Sequence, residues 1–293
     1  MRRKKSFEDV AVDLFAYTFI TLLALSTVLP FLNVLSKSVS EEWAVISGKV
    51  GIYPVGFQLG TLHFVITSKQ FINSFTVSVL ITGVGAVASL LMTAIAAYPL
   101  SKRHLPGVKG VTLLYVFTML FSGGMIPNYL LMKSLNLINN LAVLILPAMI
   151  SVFNMLVVKN YFESLPESLE ESAKLDGASN MTILFKIMIP LSTPVLATVS
   201  LFYAVHYWND YFGPMLYISK PSLKTLQLYL REIVMEANSS SAGMDRSTDD
   251  LQNISPEGVR AATIIASTVP ILLVYPYLQK YFIKGILIGS VKG

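Results

Sequence analysis

The sequence of 293 residues contains no cysteine. This absence excludes a disulfide framework and every metal site built on thiolates, and it leaves the redox compartment undefined. Histidine occurs only three times, and no two histidines lie close enough along the chain to form a ligand pair. The sequence therefore contains no pattern typical of a protein metal centre.

Charged side chains are also scarce. They make up 13% of the sequence, whereas 54% of the residues are hydrophobic, and soluble domains contain about 25% charged residues. A chain with so few charges cannot cover a soluble surface with polar groups, so we interpret it as a membrane protein. The net charge of +5 does not indicate a nucleic-acid partner, because the basic residues flank apolar runs instead of forming one face.

Three catalytic and nucleotide-binding motifs are missing: G-x-x-x-x-G-K-[ST], H-E-x-x-H and G-x-S-x-G. The chain therefore does not bind ATP through a P-loop, and a membrane enzyme is unsupported. An ion-coupled secondary transporter of a small solute is the more serious alternative. Such transporters usually place an ionisable residue near the middle of the membrane, whereas the apolar runs here are almost free of charge.

What the sequence does contain is a series of apolar runs that are long enough to cross a bilayer as helices. A basic start, residues 1–5, precedes a first run that is too long for a signal peptide. We predict an all-α polytopic membrane protein with six transmembrane helices, near residues 12–36, 73–100, 111–131, 141–158, 187–207 and 261–281. The second run carries small residues at a spacing of four (Gly85, Ser89, Thr93 and Ala97), which favours close helix packing within the chain over substrate contact.

Six spans place both termini on one side of the membrane. With the N-terminus inside, the inner segments hold 13 of the 22 Lys and Arg residues, as the positive-inside rule requires. This orientation puts both termini and the polar segment of residues 163–190 in the cytoplasm. We expect two parts in the chain: residues 1–70, with the terminal stub, the first span and an external loop, and residues 71–293, with the other five spans.

The polar segment predicts a short helix, a turn and a second helix. Ser164 with Glu167 forms a capping-box pattern, and the first helix should run over residues 165–176. Glu170 and Lys174 have the spacing of an ion pair along a helix. Gly177 should end the helix with a positive φ. Such a helix is too short and too polar to cross the membrane; a solvated connecting loop is the simpler alternative.

The spacing within this segment resembles a known motif. Glu171-Ser172-Ala173 is followed by Gly177 and then, after nine intervening residues, by Ile187-x-Ile189-Pro190. The pattern is similar to the EAA loop of ATP-binding-cassette (ABC) importer permeases, with Ser172 and Ile189 as mild departures. The C-terminal residues 279–293 resemble the tail of the maltose-type carbohydrate permeases. Residues 121–127 resemble the same segment in the branch of these permeases that imports fragments of complex polysaccharides.

The resemblance implies the MetI-like fold of type I ABC importer permeases and a location in the bacterial cell membrane. The implied partners are a second permease subunit in a heterodimer, two ABC ATPase subunits, an extracytoplasmic solute-binding protein and membrane lipid. The implied substrate is an oligosaccharide, with fragments of a complex or acidic polysaccharide as the narrower expectation. No cofactor is implied on this chain, since ATP and Mg²⁺ belong to the ATPase. The residues implied in ATPase coupling are Glu170, Glu171, Ser172, Ala173, Leu175, Asp176 and Gly177.

A second candidate site lies at the outer end of the fifth span, with Tyr203, Trp208, Asn209 and Asp210. Aromatic faces, amides and carboxylates commonly hold sugars, so these residues are candidates for the substrate path. The alternative is that the aromatic residues are anchors at the membrane boundary, where Trp and Tyr are enriched. His206 is nearby, but a lone histidine is a poor metal candidate.

Overall fold

The computed structural model describes the backbone of residues 7–239 and 255–290, with side-chain surroundings for residues 8, 11–235 and 255–273. The last three residues of the predicted C-terminal tail, 291–293, lie outside the described residues. Over these ranges the chain is helical and contains no β-strand; Ser40 and Phe57 form one isolated antiparallel bridge. The predicted all-α class is confirmed.

The described residues form the following helices in chain order. The first half of the chain forms α1 Phe7–Ser38, α2 Glu42–Ile46, α3 Gly60–Thr67, α4 Lys69–Leu100, α5 Val108–Leu120, α6 Met125–Ser134, α7 Ala142–Ile145, the 3₁₀ turn Leu146–Ala148 and α8 Val152–Ser164. The second half forms α9 Ser168–Leu175, α10 Asn180–Ile183, the π-helical turn Leu184–Met188, α11 Ile189–Leu191, α12 Thr193–Asn209, α13 Phe212–Tyr217, the 3₁₀ turn Pro221–Leu223, α14 Leu226–Ser239 and α15 Pro256–Ser290.

Two of the described helices are long and apolar enough to cross a membrane unbroken: the stretch Ala11–Ser38 of α1, and α4. Three bent pairs account for the next three predicted spans: α5 with α6 at 111°, α7 with α8 at 50°, and α10–α11 with α12 at 86°. The last predicted span falls in α15, which is 35 residues long. The six predicted apolar runs therefore correspond to these helices in order.

The third run is not one unbroken helix. Phe121 has an extended backbone and Gly124 has a φ of 89°, so the chain leaves the helical conformation between α5 and α6. The fifth run bends at Ser192, between Pro190 and Pro194. Both prolines lack the N–H that would continue the helix ladder. The Thr193 hydroxyl donates to the freed carbonyl of Pro190 at 2.7 Å.

The described chain forms two compact units. One consists of the residues up to Ser68 together with those from Glu232 to Pro270, and the other of Lys69–Arg231 together with those from Ile271. In the first unit, Ala44, Val45 and Val50 form a small core. The Glu42 carboxylate accepts hydrogen bonds from the Thr61 hydroxyl and, at 2.7 Å, from the Ser255 N–H. The division of the chain at residue 70 stays a prediction.

The second unit is organised around α4, which packs against α12 and α8. The small residues Gly85, Ser89, Thr93 and Ala97 are all buried. The Ser89 hydroxyl lies 2.8 Å from the Tyr207 hydroxyl, and the Thr93 hydroxyl lies 2.7 Å from that of Tyr203. The predicted packing role of this ladder is confirmed, since its small side chains let two tyrosine rings of α12 approach α4.

Candidate functional site

The polar segment begins differently from the prediction. Ser164 is the last residue of α8, and its hydroxyl donates to the Tyr161 carbonyl at 2.7 Å. Leu165 is extended, because a residue before proline is forced out of the helical region. Helix α9 therefore spans only eight residues, Ser168–Leu175, about 12 Å. The predicted capping box and the helix start at residue 165 were wrong.

Glu170 faces inwards. Its side chain forms an ion pair with Lys102, just beyond the end of α4, and the Tyr98 hydroxyl donates to it at 3.5 Å. Glu170 is only 8% exposed, and the Lys102 ammonium lies 4.7 Å from the centre of the Tyr98 ring. The predicted pair with Lys174 was wrong, because the buried cation competes better for the carboxylate than a solvated one on the same helix.

A second charged contact joins the same two regions. Glu163, at the end of α8, accepts from Lys159 at 2.6 Å and from Arg103 at 3.1 Å. The hydrogen bond to Glu163 raises the pKa of the Arg103 guanidinium, and the charge of Glu163 raises it further. Arg103 thus binds Glu163, which lies before α9, and Lys102 binds Glu170, which lies in the first turn of α9. The sequence analysis did not single out these two basic residues, since no local spacing connects residues about 60 positions apart.

The opposite face of α9 is exposed. It carries Glu171, Ser172, Leu175 and Asp176. Leu175 is 89% exposed, although it is a large apolar residue between charged neighbours. Ala173 points the other way and packs against the core of the second unit. Of the predicted coupling residues, four therefore form an outward acidic and apolar face, while Glu170 and Ala173 hold the helix in place.

Gly177 forms the turn after α9, as predicted. Its φ is 78°. The Gly177 N–H donates to the Lys174 carbonyl at 3.0 Å and the Ala178 N–H to the Ala173 carbonyl at 2.9 Å, which is the Schellman arrangement. A Cβ at this position would meet no atom within 4 Å. A side chain here would therefore strain the backbone conformation and nothing else.

The four candidate residues of the substrate path do not meet at one place. The Trp208 ring contacts Phe75 edge-on at 6.1 Å. Asn209 donates to the Val205 carbonyl at 2.9 Å, and Asp210 accepts from the N–H groups of Phe212 and Gly213 at the start of α13. All of these contacts lie within the chain, while the indole N–H of Trp208 is buried and has no partner among the described residues.

Tyr203 instead lines a cavity of about 500 Å³ between α8 and α12, together with Ala148, Ile150, Ser151, Phe153, Asn154, Phe202 and His206. Its hydroxyl accepts from the Ser151 N–H at 2.9 Å. The sequence analysis missed Asn154. The signal that could have found it is a polar amide in the middle of an apolar run. Among the residues with described side chains, no group of three His, Asp or Glu residues could hold a metal ion.

Comparison with known proteins gives consistent matches over nearly the whole chain. The family model of the binding-protein-dependent transport system inner membrane component matches residues 9–288. The polygalacturonan/rhamnogalacturonan transport system permease protein YtcP of Bacillus subtilis (strain 168) is 43% identical over 284 residues, 96% of this chain and 98% of YtcP. Protein LplC of the same organism is 44% identical over 269 residues, 91% of this chain and 90% of LplC.

Solved structures agree. A chain of a bacterial ABC transporter involved in the import of the acidic polysaccharide alginate has a TM-score of 0.89 and 32% identity, covering 96% of this chain and 99% of that one. A chain of the bacterial alginate ABC transporter in complex with an alginate pentasaccharide-bound periplasmic protein has a TM-score of 0.59 at 14% identity, which shows the fold alone. The permease fold expected from the sequence is confirmed.

Proposed function

Because this chain belongs to the family of inner membrane components of binding-protein-dependent transport systems, we propose that it is a permease subunit of an importer for oligosaccharides from acidic polysaccharides. Two similar proteins carry the substrate class: YtcP is named for polygalacturonan/rhamnogalacturonan transport, and the structural neighbour imports alginate. All three polymers contain sugar carboxylates. The family is a non-enzymatic membrane component of ABC transporters, and this chain is not an enzyme.

The proposed complex contains a second permease subunit, two ABC ATPase subunits and an extracytoplasmic solute-binding protein. ATP and Mg²⁺ bind to the ATPase subunits, and this chain carries no cofactor. The described part of the chain leaves apolar surface for a partner permease and for lipid, since α5 and α6 contain no buried residue. Both termini and the polar segment face the cytoplasm, where the basic residues concentrate.

We assign ATPase contact to the outward face of α9, formed by Glu171, Ser172, Leu175 and Asp176. An exposed leucine among acidic residues suits a partner groove with an apolar floor and a basic rim. Glu170 then connects the docked helix to the end of α4 through Lys102. Movement of α9 when the ATPase closes on ATP would therefore reach α4 directly, and α12 through the tyrosine contacts.

Two substitutions test this assignment. Glu171→Lys reverses a charge on the outward face without touching the core, and Gly177→Leu strains the turn at a cost on the order of 1 kcal/mol. Both variants should insert normally into the membrane but retain less ATPase in a pull-down, or hydrolyse ATP without importing oligogalacturonate into vesicles. Gly177→Asn is the matched control, since asparagine tolerates a positive φ. If both variants bind the ATPase and transport as the wild type does, the segment is only a solvated loop.

Orientation is tested by labelling, which the absence of native cysteine makes simple. A cysteine in place of Ser172 should react in intact cells only with membrane-permeant thiol reagents. A cysteine in place of Ser47, which is exposed in the external loop, should react with impermeant reagents too. The reverse pattern would contradict the proposed topology.

A further inference from the structure

The fourth span is interrupted near its centre. Residues 149–151 separate the 3₁₀ turn from α8, and the two helical parts meet at 50°. The apolar run predicted here covers residues 141–158, so the break falls in the middle of the membrane. Irregular backbone is tolerated at that depth only where it is buried in protein or lines a water-filled cavity. The cavity beside Tyr203 lies at this break.

The first turn of α8 opens into that cavity. The Ser151 side chain accepts a hydrogen bond from the Asn154 N–H at 3.4 Å. The N–H groups of Val152 and Phe153 have no partner inside the helix, as in any first turn. Ile150, Ser151 and Phe153 line the cavity, so the positive end of a helix of 13 residues faces it.

Asn154 gives an independent indication of a ligand. The residue is only 5% exposed and lines the same cavity. Its amide group forms no hydrogen bond with any other residue that the structure describes. Polar side chains with so little exposure almost always have a partner, and this amide borders the cavity instead. A ligand in the cavity would supply the partner.

The remaining lining residues define the chemistry of that ligand. Phe153 and Tyr203 contribute aromatic rings, and His206 contributes an imidazole. The Tyr203 hydroxyl is already in contact with the Thr93 hydroxyl and the Ser151 N–H, so tyrosine offers its ring rather than its oxygen. None of the eight lining residues is acidic. Nothing in the lining would therefore repel an anion.

We infer that this cavity is a subsite for the carboxylate of an acidic sugar residue during its passage through the permease. The Asn154 amide and the N–H groups at the start of α8 hydrogen-bond the carboxylate, and the aromatic rings pack against the sugar. The inference rests on the proposed function, because it deepens the substrate class of the same importer. It places a substrate contact at α8 and Tyr203, whereas Trp208, Asn209 and Asp210 do not line this cavity.

The test measures direct binding to the complete transporter, with both permeases and the ATPases, trapped with a non-hydrolysable ATP analogue and without the solute-binding protein. The probes are radiolabelled trigalacturonate and, as competitor, the same trisaccharide with its carboxyl groups reduced to alcohols. The wild type should bind the acidic trisaccharide more tightly. Equal affinity for the two probes would overturn the inference.

Substitutions then test whether Asn154 causes the preference for the acidic trisaccharide. Asn154→Asp places a negative charge where the carboxylate should lie, and Asn154→Leu removes the amide at similar volume. Each should raise the dissociation constant for trigalacturonate about 10- to 100-fold, the value of a hydrogen bond to a charged group, and leave that of the reduced trisaccharide unchanged. Asn160→Asp, an exposed asparagine later in α8, is the matched control and should change neither constant.

Two further results separate the possible failures. If the wild-type transporter with its binding protein imports trigalacturonate into vesicles but the Asn154 variants bind it normally, the subsite is wrong and the proposed function stands. If the wild type does not import any acidic oligosaccharide, the proposed function itself fails. Should Asn154→Asp fail to assemble, Asn154→Leu decides alone, and loss of affinity for both probes would mean a purely structural role.

Discussion

Helix α4 makes two contacts of opposite chemistry. Along its length it meets α12 through small residues and neutral tyrosine hydroxyls, as in the pair of Ser89 with Tyr207. Just beyond its end it meets the polar segment through ions, with Lys102 on Glu170 and Arg103 on Glu163. The first contact depends on shape, and the second depends on charge.

The difference follows from the solvent on each side. In lipid no hydrophobic effect drives helices together, so close packing and hydrogen bonds hold them, and an ion would be costly. At the boundary with water, charges can be solvated and still attract each other. We therefore expect the α4–α12 contact to be essential for folding and the ionic contacts for coupling. Substitutions in each contact test this division.

The largest effect is expected from Gly85→Leu in the α4–α12 contact. A Cβ at Gly85 would come within 2.8 Å of the Tyr207 ring, and overpacking of this kind costs about 1–3 kcal/mol or more. The variant should unfold at a clearly lower temperature in detergent. Gly83→Leu lies on the same helix with nothing within 4 Å of the added Cβ, so its melting temperature should match the wild type. Equal melting of both variants would mean that α4 and α12 do not pack as described.

A smaller effect is expected from Glu170→Gln in the ionic contact. The change leaves the Lys102 ammonium without its counter-ion in a largely buried place, which should cost about 1–3 kcal/mol. ATPase retention should fall as well, because α9 loses its connection to α4. Glu171→Gln, on the exposed face, should not alter the melting temperature.

A charge-free pair sharpens the distinction between packing and coupling. The double variant Lys102→Met with Glu170→Met removes both charges, and such replacements are often neutral for stability. Its melting temperature should return towards the wild-type value. A double variant as unstable as Glu170→Gln would show that the ion pair itself stabilises the fold.

Local patterns in the sequence were sufficient for part of this architecture. The spacing of four from Gly85 to Ala97 gave the buried face of α4, since residues four apart share one side of a helix. Gly177 gave the end of α9, because the turn there needs a positive φ. Each of these features depends on residues within one helix or turn, so the local sequence is sufficient to predict it.

Features that depend on distant residues were not predictable in the same way. The local spacing rule paired Glu170 with Lys174, whereas the partner is Lys102, which lies 68 positions away. The capping-box rule assigned Ser164 to the start of α9, but Pro166 ends the helical conformation one residue earlier. The sequence analysis missed Asn154, because its position beside a cavity depends on the break at residues 149–151.

The smallest effect is expected from Arg103→Gln, the other ionic contact of this region. The Arg103 side chain is 82% exposed, and its partner Glu163 keeps Lys159 as a second cation at 2.6 Å. Exposed ion pairs contribute little and are screened by salt. The melting temperature should therefore equal that of the wild type at physiological ionic strength, with a small decrease visible only at low salt. Lys159→Met is the comparison, since Lys159 is largely buried and its loss should lower the melting temperature at every salt concentration. A large, salt-independent effect of Arg103→Gln would mean that this arginine contacts more than Glu163. The expected contrast between the exposed Arg103 and the buried Lys159 would then be wrong.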